Sequence, residues 1–242
     1  MDAPVEPILA IVPAYNEEKT VAEVVRGVLR VLPRARVLVV DDGSADATAG
    51  LARRAGAAVV SHPFNLGYGA ALETGFLYAL SHGFSAAVLV DGDGQHDPAF
   101  LPRLLEPLAS GRADLVVGSR FLERGGYRTP RMRRAGMLLF GWLASLYTGQ
   151  RVTDPTSGFQ ALNRRAMELF AAGHFPPDFP DADVLILLSR AGLVIREVPV
   201  RMNPAPDAGS MHRGLVPLYY VFKMLLSMAL AMVRKKPGGF AR

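Results

Sequence analysis

Ala86-Ala87-Val88-Leu89-Val90-Asp91-Gly92-Asp93-Gly94-Gln95-His96-Asp97 reads as a buried strand that stops abruptly in a polar loop. Five apolar residues in a row, without polar alternation, fit a strand covered on both faces of a parallel sheet. Upstream, residues 8–12 form a similar run closed by Pro13. Residues 37–40 lead into Asp41-Asp42-Gly43-Ser44, and 58–61 lead into His62-Pro63-Phe64-Asn65. Downstream, 115–117 run into Gly118-Ser119-Arg120. Helix-period segments separate these runs. Asn16 is a cap candidate for a helix with Val21, Val24, Val25, Val28, Leu29 and Leu32 on one face, ended by Pro33. Further helices are expected over about 46–54, 70–81 and 98–108. Strands alternating with helices predict βαβ units and an α/β, Rossmann-like, doubly wound and mostly parallel sheet. The carboxyl ends of parallel strands share one edge, so five polar loops converge on the rim where open α/β sheets bind ligands.

Beyond Arg120 the pattern changes. Arg124, Arg128, Arg131, Arg133 and Arg134 crowd a loop and helix start, opposed only by Glu123. A strongly apolar stretch, residues 137–147, follows and includes Trp142 and Tyr147. After it come the turn-rich Asp154-Pro155-Thr156-Ser157-Gly158-Phe159, a helix over 181–191 and a strand over 194–200. Residues 215–233 are nearly all apolar, and at ~1.5 Å per residue a helix of that length only just crosses a bilayer core. Lys223 and Pro217 interrupt it, which favours an interfacial or protein-packed helix over a spanning one. The chain accordingly divides into a main domain, 1–212, and a C-terminal apolar and basic helical segment, 213–242.

Composition narrows the chemistry. The chain has 242 residues and no cysteine, which excludes disulfides, thiolate metal sites and Cys nucleophiles. Its 27 basic against 22 acidic residues give +5, and only Lys19, Lys223, Lys235 and Lys236 of the basic set are lysine. Arg grips phosphate with a flat fork, so the excess fits anionic partners, while Arg-rich coding alone also explains the count. Residues 1–6 lack the basic and apolar regions of a signal peptide, placing the protein inside the cell.

Asp91 and Asp93 flank one glycine and can turn toward one point to hold a divalent cation, with Gln95 adding a neutral oxygen. Oxygen ligands on a loop suit Mg²⁺ or Mn²⁺; turns also favour Asp and Gly for backbone reasons. Asp41 and Asp42 are placed for a base or ribose, with Asp46 better placed to cap the next helix. Asn65-Leu66-Gly67-Tyr68-Gly69-Ala70 lacks the phosphate-loop signatures and reads as a structural turn lining the site. The five histidines show no metal-ligand spacing, and no Gly-x-Ser-x-Gly elbow is present.

Pro13-Ala14-Tyr15-Asn16-Glu17, Asp41-Asp42-Gly43-Ser44, Asp91-Gly92-Asp93-Gly94-Gln95-His96, Gly118-Ser119-Arg120 and Thr156-Ser157-Gly158-Phe159 follow in order. In these motifs the chain resembles the family-2 glycosyltransferases of the GT-A fold. Within them it is similar to the polyprenyl-phosphate sugar transferases, the dolichyl-phosphate mannose synthase group, over roughly residues 8–213. The resemblance implies a nucleoside-diphosphate sugar donor bound by Pro13, Tyr15, Asn16, Glu17, Asp41, Asp42 and Gly92. It places Asp91 near ribose and metal, and Asp93 and Gln95 on the cation that bridges the diphosphate. Arg120 holds donor or acceptor phosphate, and transfer is a single inverting displacement.

The acceptor decides whether a base is needed. A sugar hydroxyl requires a positioned carboxylate, for which Asp154 is the candidate. A phosphomonoester, with its second pKa near ~6, is already mostly dianionic and needs cations instead. For an acceptor phosphate the residues are Arg131, Arg134, Ser157, His212 and Arg213. The Arg cluster suits an anionic headgroup at the cytoplasmic face of a membrane, reached directly or through a small membrane partner protein. One departure stands out: Ala205 and Met211 occupy places where these relatives carry basic residues. The rivals are a soluble or saccharide acceptor and a non-catalytic nucleotide-binding scaffold; nucleic acid is not expected, and self-association is left open.

Overall fold

In the computed structural model, residues 7–122, 131–174 and 182–203 are described, with 131–139, 173–174 and 182–183 given by their backbone alone. Among the described residues, strands β1 (Ile8–Ala14), β2 (Arg36–Asp41), β3 (Ala58–Ser61), β4 (Ala86–Leu89), β5 (Leu115–Ser119), β6 (Gln160–Asn163) and β7 (Ile195–Pro199) form one sheet. Its order is β3-β2-β1-β4-β6-β5-β7. All pairings are parallel except those of β6, which runs antiparallel to both β4 and β5.

The helices lie on both faces of the sheet. Helices α1 (Val21–Val31), α2 (Thr48–Arg54) and α4 (Leu101–Ala109) cover one face. On the other lie α3 (Tyr68–Ser81), α5 (Arg131–Thr148), α6 (Arg164–Leu169) and α7 (Ala182–Arg190). Strand residues therefore point alternately into two cores: Leu9 and Ile11 toward α3, Ala10 and Val12 toward α1, all fully buried. That double burial is why the strand sequences lack polar alternation. At about 1.5–3 kcal/mol per buried aliphatic side chain, these residues dominate the stability of the domain.

The doubly wound expectation holds, with one correction. The short strand β6, Gln-Ala-Leu-Asn, is absent from the sequence reading. It inserts between β4 and β5, yet β5 stays parallel to β4 because two antiparallel pairings restore the direction. The five polar loops therefore do share one rim. β7 adds the same edge beyond β5, and Asn203, just after it, donates its N–H to Gln95 O at 2.7 Å. Among the described residues no helix is long and apolar enough to cross a membrane. The apolar segment 215–233 and the division at 212/213 lie outside the described residues.

Candidate active site

The loops after β1 and β2 are sewn together by Asn16. It sits at φ 56°, a left-handed conformation that Asn tolerates better than most residues. Its N–H reaches Ser44 Oγ at 2.9 Å and its Oδ1 accepts the Ala45 N–H at 2.9 Å. Asn16 thus does not cap α1, as the sequence led us to expect. A turn closed by Thr20 and Val21 N–H groups on Glu17 O precedes the helix instead. The Glu17 N–H is taken by Thr48 Oγ1 at 2.8 Å, so β1's loop rests on the start of α2. Asp46 accepts the Thr48 N–H at 2.9 Å from one residue before the N-cap, Ala47, so it steadies the turn into α2 without occupying the cap position itself.

The two adjacent aspartates diverge. Asp41 Oδ1 accepts the Ser44 N–H at 3.1 Å and shapes its own turn. Asp42 is buried and fully engaged: its oxygens accept His62 Nδ1–H at 2.7 Å, Leu66 N–H at 2.8 Å and Gly67 N–H at 2.8 Å. It clamps the 62–67 loop, so the sequence reading that left both carboxylates free for a ligand applies to Asp41 better than to Asp42. Tyr15 remains 48% exposed at this end of the rim.

At the centre, β4 delivers Asp91, Gly92 and Asp93. The Gly92 N–H donates to Pro13 O, and the Thr20 hydroxyl lies 2.7 Å from Gly92 O and 3.0 Å from Glu17 Oε2. A Cβ on Gly92 would sit 3.1 Å from Pro13 O and 3.4 Å from Glu17 Cγ, so a side chain here would crowd the β1 and β4 loops where they meet. Asp91 Oδ1 accepts the Tyr68 hydroxyl at 2.9 Å. The Asp91 N–H donates to His96 Nδ1 at 3.0 Å, which leaves the proton on Nε2, 3.5 Å from Asp91 Oδ2. His96 is buried and stacks on Phe159. Asp93 accepts the Gln95 N–H at 2.9 Å, and its other oxygen is met by the Gln95 amide. Burial, and then the charges of Asp93, Asp46 and Asp91, push the Glu17 carboxyl above its usual range against the lowering Thr20 contact.

The crowding of Glu17, Asp91 and Asp93 is the feature a divalent cation would relieve. No group of three or more His, Cys, Asp or Glu able to hold a metal occurs among the described residues. The oxygen-bearing side chains expected from the sequence to meet a cation, those of Asp91, Asp93 and Gln95, all lie on this one loop. That fits Mg²⁺ or Mn²⁺, which complete their octahedra with water and substrate phosphate.

The loops after β5 and before β6 form a second unit. Asp154 is fully buried and grips Arg120 bidentately, with Nε–Oδ2 and Nη2–Oδ1 both at 2.7 Å. It also accepts the Arg120 N–H at 3.0 Å, and Arg120 Nη2 reaches Thr156 Oγ1 at 2.9 Å. Ser157 is buried, its hydroxyl spent on Gly118 O at 2.7 Å. Gly158 closes the loop onto the centre: a Cβ there would lie 2.9 Å from Tyr68 Oη and 3.3 Å from Asp91 Oδ2. Glu197 of β7 accepts from Thr153 and Asp154 behind this unit.

The structure thus brings Pro13, Glu17, Gly92, Asp91 and Asp93 together, with Asn16 and Asp41 beside them and Arg120 and Asp154 as a pair. It sets Asp42 and Ser157 to internal work. Arg131 and Arg134 are placed only by the backbone of α5, and Arg124, Arg128, His212 and Arg213 lie outside the described residues. Thr20 and Glu197 were missed, and Tyr68 was expected only as part of a turn lining the site. A tyrosine opening a helix and a glutamate within a strand carry no motif, and only the fold carries them to the site.

The glycosyl transferase family 2 profile matches residues 9–170. The chain is 36% identical over 175 residues to the polyprenol monophosphomannose synthase of Mycolicibacterium smegmatis, covering 68% of this chain and 64% of that protein. It is 34% identical over 206 residues to the undecaprenyl-phosphate mannosyltransferase of Micrococcus luteus, covering 80% and 82%. Among solved structures it resembles glucosyl-3-phosphoglycerate synthase from Mycobacterium tuberculosis in complex with Mn²⁺ and UDP-glucose. The TM-score is 0.67 and the identity 26%, over 93% of this chain and 78% of that one.

Proposed function

We propose, from the premise that the chain belongs to glycosyl transferase family 2 and is a glycosyltransferase, that it moves a sugar from a nucleoside diphosphate to a polyprenyl phosphate. The observation that carries the reading is the Asp91-Gly92-Asp93 turn at the end of a buried strand, drawn against Pro13 and Glu17. Pro13, Tyr15, Asn16, Glu17, Asp41 and Gly92 receive the nucleoside, and Asp91 lies near both the ribose and the cation. Asp93 and Gln95 would hold Mg²⁺ or Mn²⁺ beside the diphosphate. When bound, that cation supplies positive charge to the leaving diphosphate. The mycobacterial neighbour was solved with Mn²⁺ and UDP-glucose, which supports a divalent cation and a nucleotide-sugar donor.

The acceptor reading follows from Asp154. A hydroxyl acceptor needs a carboxylate available to take its proton, and Asp154 is fully buried and engaged on both oxygens by Arg120. A phosphate acceptor brings its own negative charge and needs only orientation and cations. Lipid-phosphate acceptors in the names of both mannosyl-transferring relatives point the same way. Transfer then takes place at the cytoplasmic face of the membrane, with the Arg-rich 124–134 region as the contact with headgroups or a small membrane partner.

Asp93→Ala tests the donor half: transfer is expected to vanish while the melting temperature is retained. Unchanged turnover would remove the cation from the mechanism. For the acceptor, radiolabelled nucleotide sugars are incubated with polyprenyl phosphates and extracted into organic solvent. Label is expected in the lipid phase, and label confined to water under active turnover rejects the lipid reading.

A further inference from the structure

Glu197 is a half-buried acid beside the Arg120–Asp154 pair that the chemistry described above does not use. It lies on β7 at the sheet edge, paired in register with Val117 of β5. Both of its oxygens accept hydrogen bonds. Oε1 takes the N–H groups of Thr153 and Asp154, each at 2.8 Å. Oε2 takes the Thr153 hydroxyl at 2.7 Å and shares the Thr153 N–H at 2.9 Å.

The hydroxyl bonds then have a direction. Thr153 gives its only hydroxyl proton to Glu197, so across the 2.7 Å contact with Ser119 it is Ser119 Oγ that donates. Ser119 Oγ in turn accepts the Phe121 N–H at 3.2 Å. The chain Phe121 N–H, Ser119 Oγ–H, Thr153 Oγ1–H, Glu197 flanks Arg120 on one side. On the other, Asp154 binds Arg120 through its backbone and its guanidinium and gives its own N–H to Glu197. One carboxylate therefore fixes both segments that hold Arg120, and with them the loop that ends in Gly158 against Asp91.

Burial, foremost, keeps the Glu197 carboxyl above the usual range; hydrogen bonds from Thr153 and Asp154 lower it and the neighbouring Asp154 charge raises it again. A charge kept in a site that disfavours it is common at working sites and less so in plain scaffolding.

We infer that Glu197 is a positioning residue of the enzyme, holding Thr153 and Asp154 so that Asp154 presents Arg120 at the rim. The catalytic part rests on the proposed transfer reaction; the positioning part does not.

Hydrogen exchange and kinetics test it together. In Glu197→Gln the amide nitrogen replaces an acceptor with a donor at nearly the same shape. The Arg120, Thr153 and Asp154 amides are expected to exchange about tenfold faster or more, with β1, β2 and α3 unchanged. In lipid-phosphate transfer, kcat is expected to fall about tenfold or more, with the donor KM within about twofold. Because Glu197 acts through Asp154, Glu197→Gln in an Asp154→Asn background is expected to cost little further kcat. Unchanged exchange at Arg120, an unchanged kcat, or losses that multiply in the double variant would each overturn the inference. Should Glu197→Gln fail to fold, Thr153→Val cuts the hydroxyl chain while leaving the two N–H bonds on Glu197, so faster exchange is expected at Arg120 and Phe121 with the same fall in kcat. Exchange decides the positioning even where no donor and acceptor pair gives turnover, so its failure is distinguishable from failure of the transfer reading.

Discussion

Asp42 and Asp91 leave the sheet on either side of β1, and their neighbours divide their labour. Asp42 meets three protein donors and becomes a clamp, while Asp91 meets the Tyr68 hydroxyl, has His96 Nε2 at 3.5 Å and stays 29% exposed. The two are linked, because the Gly67 N–H held by Asp42 immediately precedes Tyr68 at the start of α3. Tyr68→Phe removes one donor from Asp91 without touching the clamp. A hydrogen bond of this kind is worth about 0.5–1.5 kcal/mol, so we expect a several-fold rise in donor KM with little change in melting temperature. An unchanged KM would show that Asp91 needs no such support.

Helix α3 reaches the site because it packs on β1 without a spacer. Gly75 faces Ile11 so closely that a Cβ would fall 2.4 Å from Ile11 Cγ2. Gly75→Ala is expected to destabilise the domain by about 1–3 kcal/mol despite the better helix propensity of Ala, read as a lower melting temperature. Ile11→Val in the same chain should recover part of the loss, and a stabilised Gly75→Ala would contradict this packing. At this scale the elements divide by how they announce themselves. The runs 8–12 and 37–40 are legible because burial on both faces writes them as uninterrupted apolar stretches, whereas the edge strand 58–61 is only partly buried and shows as a short apolar run ending in Ser61. β6 is four residues with polar ends, and it is a strand only because β4 and β5 flank it. Asn16 looked like a helix cap because Asn often is one; its neighbours across the rim use it as a cross-link instead.

For the molecule as a whole, Glu197 sets a pH signature. A carboxyl whose folded pKa is raised binds its proton more tightly in the folded state. Its contribution to stability is full below the ordinary value of 4.5 and is lost as pH rises through the raised one. Gln cannot titrate, so the melting-temperature advantage of the natural chain over Glu197→Gln should narrow as pH rises above about 4.5. A widening gap would mean that the hydrogen bonds outweigh burial. Asp46 has the opposite sense: despite partial desolvation, its bonds from Thr48 and Glu18 hold it below the usual range, and its contribution fades toward acid.

The sequence by itself determined the doubly wound sheet, the five loops on one rim and the Asp91/Asp93 pair, because apolar runs and strand-end polar clusters are local patterns. It also settled the family through motifs in order along the chain. Only the tertiary structure decided how each side chain spends its hydrogen bonds: Asp42 on the 62–67 loop, Asp154 on Arg120, Ser157 on a backbone carbonyl, Tyr68 on Asp91, Glu197 behind them all. The reason is physical. A buried polar group takes whichever partner lies within about 3 Å, and those partners come from strands far apart in the chain.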